Sequence, residues 1–264
     1  MTEPLDLYSL WHELGFSSSR GQFDALVQHA IAQRLAPSQV LEELARMERR
    51  ERDARNLERR TTAAKLGTVK PLAQFDWNHP RKIPRARIEE LLTLGFISAG
   101  QNVLFRGPSG VGKTTLAKHL GFEALRRGYS VRFATFAECL ADLVKQESLP
   151  ALERRMKRYT SPELLVLDEI GYLPCDTGAA DLLFNIITRR HESRSVVITT
   201  NLAFKQWGNL FAGAACVAAL IDRFAQHCHT IDIVADSWRH KHSLAHSAAK
   251  STKSKGPAPQ AESD

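Results

Sequence analysis

The sequence predicts an α/β fold in which a parallel sheet is covered by helices on both faces, preceded by a small all-helical region. Three observations predict it. From Asn102 onward, short apolar or β-branched runs alternate with longer stretches of helical character, and such alternation implies a parallel sheet. Residues 1–66 read as wholly helical. Between the two, Gly67 to Pro71 interrupts a long charged helix.

In chain order, Phe23, Leu26, Val27, Ala30 and Ile31 recur at i, i+3, i+4, i+7 and i+8, one face of an amphipathic helix. Pro37-Ser38 starts a second helix, whose front half carries Val40, Leu41, Leu44 and Met47 on one face. Its back half sets Arg46, Arg49, Arg50, Arg52, Arg55, Arg59, Arg60 and Lys65 against four acids. Glu42 to Arg46, Glu48 to Arg52 and Glu51 to Arg55 are i,i+4 pairs in the favourable orientation. Two readings stay open: a solvated helix laced with such pairs, or an arm lying along nucleic acid or a partner. Residues 72–100 form a connector with two aromatics, Phe75 and Trp77, and a short helix over Arg85–Leu94 that turns Ile88, Leu91 and Leu92 inward. Residues 75–100 of this connector are expected to form the wall of a ligand pocket.

Five strands are predicted, at Asn102–Phe105, Val131–Ala134, Leu164–Leu167, Ser195–Thr199 and Thr230–Val234. Helices are expected between them, over about 114–127, 137–160, 178–192 and 214–227. The tail 240–264 has almost no large apolar residue and is expected to be disordered, because it cannot bury enough surface to offset ordering entropy. The domain expectation is therefore 1–70 helical, 71–240 α/β, and 241–264 a basic tail.

With 36 Lys+Arg against 29 Asp+Glu, the chain carries a formal charge of +7, which permits a nucleic-acid partner without establishing one. No run reaches the roughly 18 apolar residues of a membrane span, and the N-terminus lacks the pattern of a secretory signal. Cys139, Cys175, Cys216 and Cys228 never fall at C-x-x-C spacing, which argues against a zinc site or a disulfide framework. Reduced thiols in a cytoplasm are expected.

Gly107-Pro108-Ser109-Gly110-Val111-Gly112-Lys113-Thr114 matches G-x-x-x-x-G-K-[ST] in full. A chance match in a chain of this length has a probability of roughly one in a hundred. A predicted strand precedes the motif and a helix beginning near Thr115 follows it. Glycines let successive backbone N–H groups converge on phosphates, and the helix N-terminus adds its positive end. Lys113 is expected to reach the β- and γ-phosphates of ATP, and the Thr114 hydroxyl to ligate Mg²⁺; Thr115 is counted with the nucleotide-binding residues.

Leu164-Leu165-Val166-Leu167 ends in Asp168 and Glu169. Ligands in open α/β sheets lie beyond the carboxyl ends of strands, so the pair points at the same crevice as the loop. Asp168 is expected to hold Mg²⁺, and Glu169 to activate an attacking water. Asn201, after another apolar strand, suits either a contact with the γ-phosphate or lytic water or a helix cap. Arg223 suits either an arginine lying over apolar surface or an arginine finger presented to a neighbouring subunit's ATP.

With these features in order, the chain resembles AAA+ ATPases of the initiator and helicase-loader group. It is most similar to IstB-type helper ATPases encoded beside the transposase of bacterial insertion sequences. The resemblance covers about 70–240 and is carried by GPSGVGKTTLA at 107, LLVLDEIGYLP at 164, ITTNLAFKQWGNLF at 198, LIDRF at 220 and ADSWRHK at 235. It implies an AAA+ P-loop NTPase with a five-stranded parallel sheet. Lys113 and Thr114 then take Walker A roles, Asp168 and Glu169 Walker B roles, and Asn201 the sensor-1 role. Arg223 falls at the arginine-finger position and Arg239 at the sensor-2 position, although the chain has no room for the separate helical lid that usually carries sensor 2. The family implies an ATP-dependent homo-oligomer that binds double-stranded DNA with little sequence preference and recruits or activates a transposase. Arg154, Arg155, Lys157 and Arg158 form one candidate DNA surface, and Arg46–Arg60 the other. A replicative helicase loader is the alternative on the same core. A small-molecule kinase, or a protein that binds ATP as a structural clamp, are further alternatives.

Overall fold

Helices α1 (Leu7–Glu13), α2 (Arg20–Gln33) and α3 (Pro37–Ala64) occupy the N-terminal part of the chain, as the helical periodicity requires. The computed structural model describes residues 6–77, 83–171, 177–211 and 213–234. The chain divides into two compact units, Met1–Thr62 and Ala63–Asp264.

In the first unit, Ser19 begins α2 with a capping box: its hydroxyl accepts from the Gln22 N–H, and the Gln22 side chain accepts from the Ser19 N–H. A small aromatic cluster holds the turn before it. Trp11 stacks on Phe16 with centroids 3.6 Å apart, lies 5.9 Å from Phe23, and donates to the Ser18 hydroxyl at 2.8 Å. Two expectations are corrected here. Glu48 does not stand on a solvated face: it is buried, accepting from the N–H groups of Ser17 (2.6 Å) and Ser18 (3.1 Å) and from Arg52 (2.6 Å). Those amides precede α2 and have no helical acceptor, so the carboxylate supplies one. Conversely Ile31 and Leu41, assigned to buried faces, are exposed.

The second unit contains short helices α4 (Arg85–Leu91) and α5 (Gly95–Ser98). The main alternation follows: β1 (Asn102–Arg106), α6 (Lys113–Arg126), β2 (Val131–Thr135), α7 (Phe136–Val144), α8 (Leu149–Thr160), β3 (Leu164–Ile170), α9 (Thr177–Arg190) and β4 (Ser195–Thr200). Helices α10 (Trp207–Leu210) and α11 (Val217–Ala225) then lead to β5 (Cys228–Asp232). The strands form one parallel sheet in the order β2-β3-β4-β1-β5. Because strand side chains alternate between faces, Leu104, Leu165, Leu167, Val196 and Ile198 join a core built with α7 to α11. Val103, Phe105, Leu164, Val166 and Val197 are equally buried on the other face, where α6 packs against β1 to β4. Each such side chain contributes about 1.5–3 kcal/mol.

Several element boundaries differ from expectation, three of them informatively. The helix predicted over 137–160 is two helices: Ser148 caps α8 by accepting from the Ala151 N–H, and a proline stands in its first turn, a start signal inside the presumed helix. Strand β5 begins two residues earlier, because Cys228 pairs with Asn102 at the foot of β1. Helix α11 starts at Val217 rather than 214. Among the described residues no helix is long and apolar enough to cross a membrane. Cys139, Cys216 and Cys228 are free thiols, and burial pushes Cys139 and Cys228 up to about 12. Cys175 and the tail 240–264 lie outside the described residues.

Candidate active site

The loop between β1 and α6 is shaped by close approaches that exclude side chains. A Cβ on Gly107 would lie 2.3 Å from the Ile233 carbonyl oxygen. Gly112, at φ +93°, begins α6 from the left-handed region, and a Cβ there would meet the Phe75 ring at 2.6 Å. Pro108 and Ser109 are exposed at the tip, whereas Val111 is buried beneath. Lys113 is buried, its ammonium donating to the carbonyls of Gly107 (2.8 Å) and Pro108 (2.7 Å). The cation is thus curled over the loop it follows. Thr115 is half-buried on the first turn of α6. Phe75 continues into an aromatic group: it lies edge-on to Trp77 at 4.9 Å, and the Arg85 guanidinium sits 5.0 Å from the Trp77 centroid.

The sheet order brings the acidic pair to this loop. β4 lies between β1 and β3, so the ends of β1, β4 and β3 stand side by side. Asp168 is buried and accepts from the Thr114 hydroxyl at 3.0 Å, which joins the Walker A threonine to the strand-end carboxylate. Glu169 differs from its neighbour in every respect. The β3–β4 register slips between Leu167 and Ile170, a bulge in which Asp168 and Glu169 oppose the single residue Thr199. Glu169 sits at φ +65° and is exposed. A left-handed conformation costs a non-glycine residue roughly 1–2 kcal/mol and here separates the two carboxylates, one in the sheet and one outside it.

Thr199 is the residue that sequence reasoning passed over. Its hydroxyl donates to Asp168 Oδ1 at 2.5 Å and accepts from the Glu169 N–H at 2.9 Å. The next residue, Thr200, donates to the Ile170 carbonyl at 2.7 Å and accepts from the Leu202 N–H at 3.0 Å, closing the far side of the bulge. Asn201 is exposed, and its Oδ1 would lie 3.0 Å from a Cβ on Gly171, which places it just beyond the acidic strand. The available signal was a hydroxyl-bearing pair at the end of an otherwise apolar strand.

Arg223 lies on the face shared by α9 and α11. It donates to the Thr188 hydroxyl, and its guanidinium sits 4.8 Å from the Phe184 centroid, the contact of an arginine spread over apolar surface. Arg239 lies outside the described residues, as does most of IGYLP. Phe204 and Trp207 of the later motif are core rather than site: Trp207 is fully buried and packs with Phe204, Phe211 and Phe224.

The donor set suits a nucleotide–magnesium complex. Mg²⁺ prefers hard oxygen ligands and is held through one or two carboxylates together with substrate phosphates, and Asp168 with the Thr114 hydroxyl offers that combination. Among the described residues no cluster of three or more His, Cys, Asp or Glu forms a separate metal site.

The basic residues between β2 and β3 gather in one place. Gln146, Ala151, Arg154, Arg155 and Arg158 line an open cleft of about 230 Å³ along α8 and the loop before it, whereas Lys157, grouped with these arginines in the sequence, is exposed on the same helix and is not among the lining residues. Asp142 pairs with both Arg155 (3.2 Å) and Arg158 (3.8 Å), so two of the three guanidinium groups share one carboxylate. On α3, Arg46 pairs with Glu42, Arg49 with Asp53 and Arg52 with Glu48, and the back half of the helix still carries more basic residues than acids.

The family model described as IstB-like ATP binding protein matches residues 10–246. An insertion sequence IS21 putative ATP-binding protein of Pseudomonas aeruginosa is 35% identical over 83% of this chain and 82% of its own length. The corresponding IS5376 protein of Geobacillus stearothermophilus is 31% identical over 88% and 93%. Among solved structures, DnaI superposes with a TM-score of 0.54 over 64% of this chain and 92% of that chain at 18% identity. The replication initiator DnaA bound to AMPPCP and single-stranded DNA superposes at 0.50, over 66% and 56%, at 19% identity. These two likenesses are of fold.

Proposed function

Since the chain belongs to the IstB-like ATP-binding family, we propose that it is the helper ATPase of a transposition reaction. In this reading it assembles as an ATP-dependent homo-oligomer on double-stranded DNA and recruits or activates a transposase. The protein is an ATPase of the AAA+ type. The observation that carries the proposed chemistry is the pairing of unlike carboxylates: Asp168 buried and hydrogen-bonded to Thr114, Glu169 turned outward on left-handed backbone.

Each residue then has a task. Backbone N–H groups of the loop and the Lys113 ammonium bind the phosphates. Thr114 and Asp168 would hold Mg²⁺, which neutralises phosphate charge when bound. Glu169 accepts the proton of the attacking water, with Asn201 orienting water or γ-phosphate beside it. Phe75 and Trp77 flank the loop as the apolar wall against which a base can lie. Arg223 completes the site of an adjacent copy, and Arg239 is assigned the sensor-2 role. Arg154, Arg155 and Arg158, in charge excess over Asp142, are the favoured contacts to DNA phosphates. The insertion-sequence relatives favour transposition over helicase loading.

The test is ATP turnover with and without duplex DNA. Lys113→Ala should abolish nucleotide binding and turnover together. Glu169→Gln should retain binding and lose turnover by roughly 10²–10⁴-fold. Wild-type turnover in both variants would overturn the assignment, and transfer of the γ-phosphate to an acceptor other than water would make the protein a kinase.

A further inference from the structure

We propose that Thr199 is a positioning residue of this site, its one hydroxyl fixing the Asp168 carboxylate and the Glu169 backbone together. The inference rests on the catalytic reading of Glu169 and extends it. A hydroxyl carries a single proton, and a backbone amide can only donate. The Glu169 N–H therefore donates to Thr199 Oγ1, 2.9 Å away, and the threonine proton goes to Asp168 Oδ1 at 2.5 Å. Thr114 donates to the same oxygen at 3.0 Å. Two hydroxyls from different elements thus hold Oδ1 and oppose rotation of the carboxylate.

The second half of the role comes from the bulge. Leu167 is in register with Ile198 and Ile170 with Thr200, leaving Asp168 and Glu169 opposite Thr199 alone. A bulge removes a ladder partner from the extra residue, and here a side chain replaces it. Thr199 is 1% exposed, so no solvent takes over if the hydroxyl is lost. The left-handed turn at Glu169 then loses its anchor, and the outward carboxylate loses its fixed origin. Asn201, one residue beyond the strand, is exposed and has no comparable grip on the pair.

Thr199→Val removes the hydroxyl at nearly constant volume, and Thr199→Ser retains it. A misplacement of about 1 Å at a reacting group costs roughly 100-fold, so kcat for Thr199→Val should fall by about that factor. Its KM and its affinity for ATP, measured by direct binding, should stay within about threefold of wild type, and Thr199→Ser should recover most of the rate. In a Glu169→Gln background Thr199→Val should cost no more than about twofold further, because residues acting as a unit are not additive. The proposal is overturned if Thr199→Val turns over at the wild-type rate or if serine is as slow as valine. Loss of nucleotide affinity in proportion to rate, or a full additional loss in the Glu169→Gln background, overturns it equally. If Glu169→Gln alone matches wild type, the parent reading fails with it. Failure of Thr199 alone appears as a slow Glu169→Gln beside an unaffected Thr199→Val.

Discussion

At Gly112 two demands meet in one residue. The chain must leave the phosphate loop through φ +93° to enter α6, and the Phe75 ring occupies the space that a side chain would take. Either demand alone disfavours any other residue. Gly112→Ala must therefore displace Phe75 and strain the first turn that carries Lys113 and Thr114. The expected outcome is loss of ATP affinity by at least about tenfold, since 1.4 kcal/mol of strain already suffices for that factor. Nucleotide titration of the purified variant checks it. Thr199 and Glu169 show the complementary case, in which a costly backbone conformation is retained because a neighbouring side chain over-determines it.

Among the elements, α3 carries a buried carboxylate whose contribution to stability depends on pH. Burial opposes ionisation of Glu48, but the N–H groups of Ser17 and Ser18 and the Arg52 guanidinium outweigh it and hold the carboxyl below the ordinary glutamate value of 4.5. A depressed folded-state value means that the stabilisation is present above 4.5 and is lost as pH falls through the folded value. Glu48→Gln should destabilise the first unit by about 1–3 kcal/mol at neutral pH, and the gap to wild type should close below pH 4.5 in denaturant titrations. This burial was not legible in the sequence, where Glu48 to Arg52 is an ordinary i,i+4 pair: it depends on the turn at residues 15–19 arriving beside α3. Contiguous signals were legible, including the phosphate loop, the acidic pair and the strand–helix alternation, because their chemistry is written within a few residues. The break before α8 was legible too, in Ser148 and Pro150, but the length of the surrounding helical pattern obscured it. Thr199 needed the strand order, which places β4 between β1 and β3 and which no local pattern states. In the same way nothing local marks Arg190, which is buried and donates to the carbonyls of Tyr159, Thr160, Pro162, Glu163 and Ser195, tying the entrances of β3 and β4.

For the whole molecule, the excess of positive charge becomes specific only where the fold concentrates it. Asp142 serves two arginines at once, so the cleft beside α8 keeps a surplus of positive charge. If this surplus meets phosphates, duplex affinity falls with salt at a slope of about −0.9 per contact. Arg154→Gln with Arg158→Gln should make that slope shallower by about two, while leaving DNA-free ATP turnover unchanged; equal slopes for variant and wild type would remove the cleft from the DNA surface. One feature of the sheet reaches further. The Ile233 carbonyl fills the place of a side chain on Gly107, the Ile233 N–H donates to the Arg106 carbonyl, and Asp232 grips Arg106 at 2.6 and 2.8 Å. The exit of the last strand is therefore the floor on which the loop between β1 and α6, the proposed phosphate cradle, rests. A tug on the polypeptide beyond Val234, whether from a bound protein or an appended tag, is transmitted to that cradle through three adjoining residues.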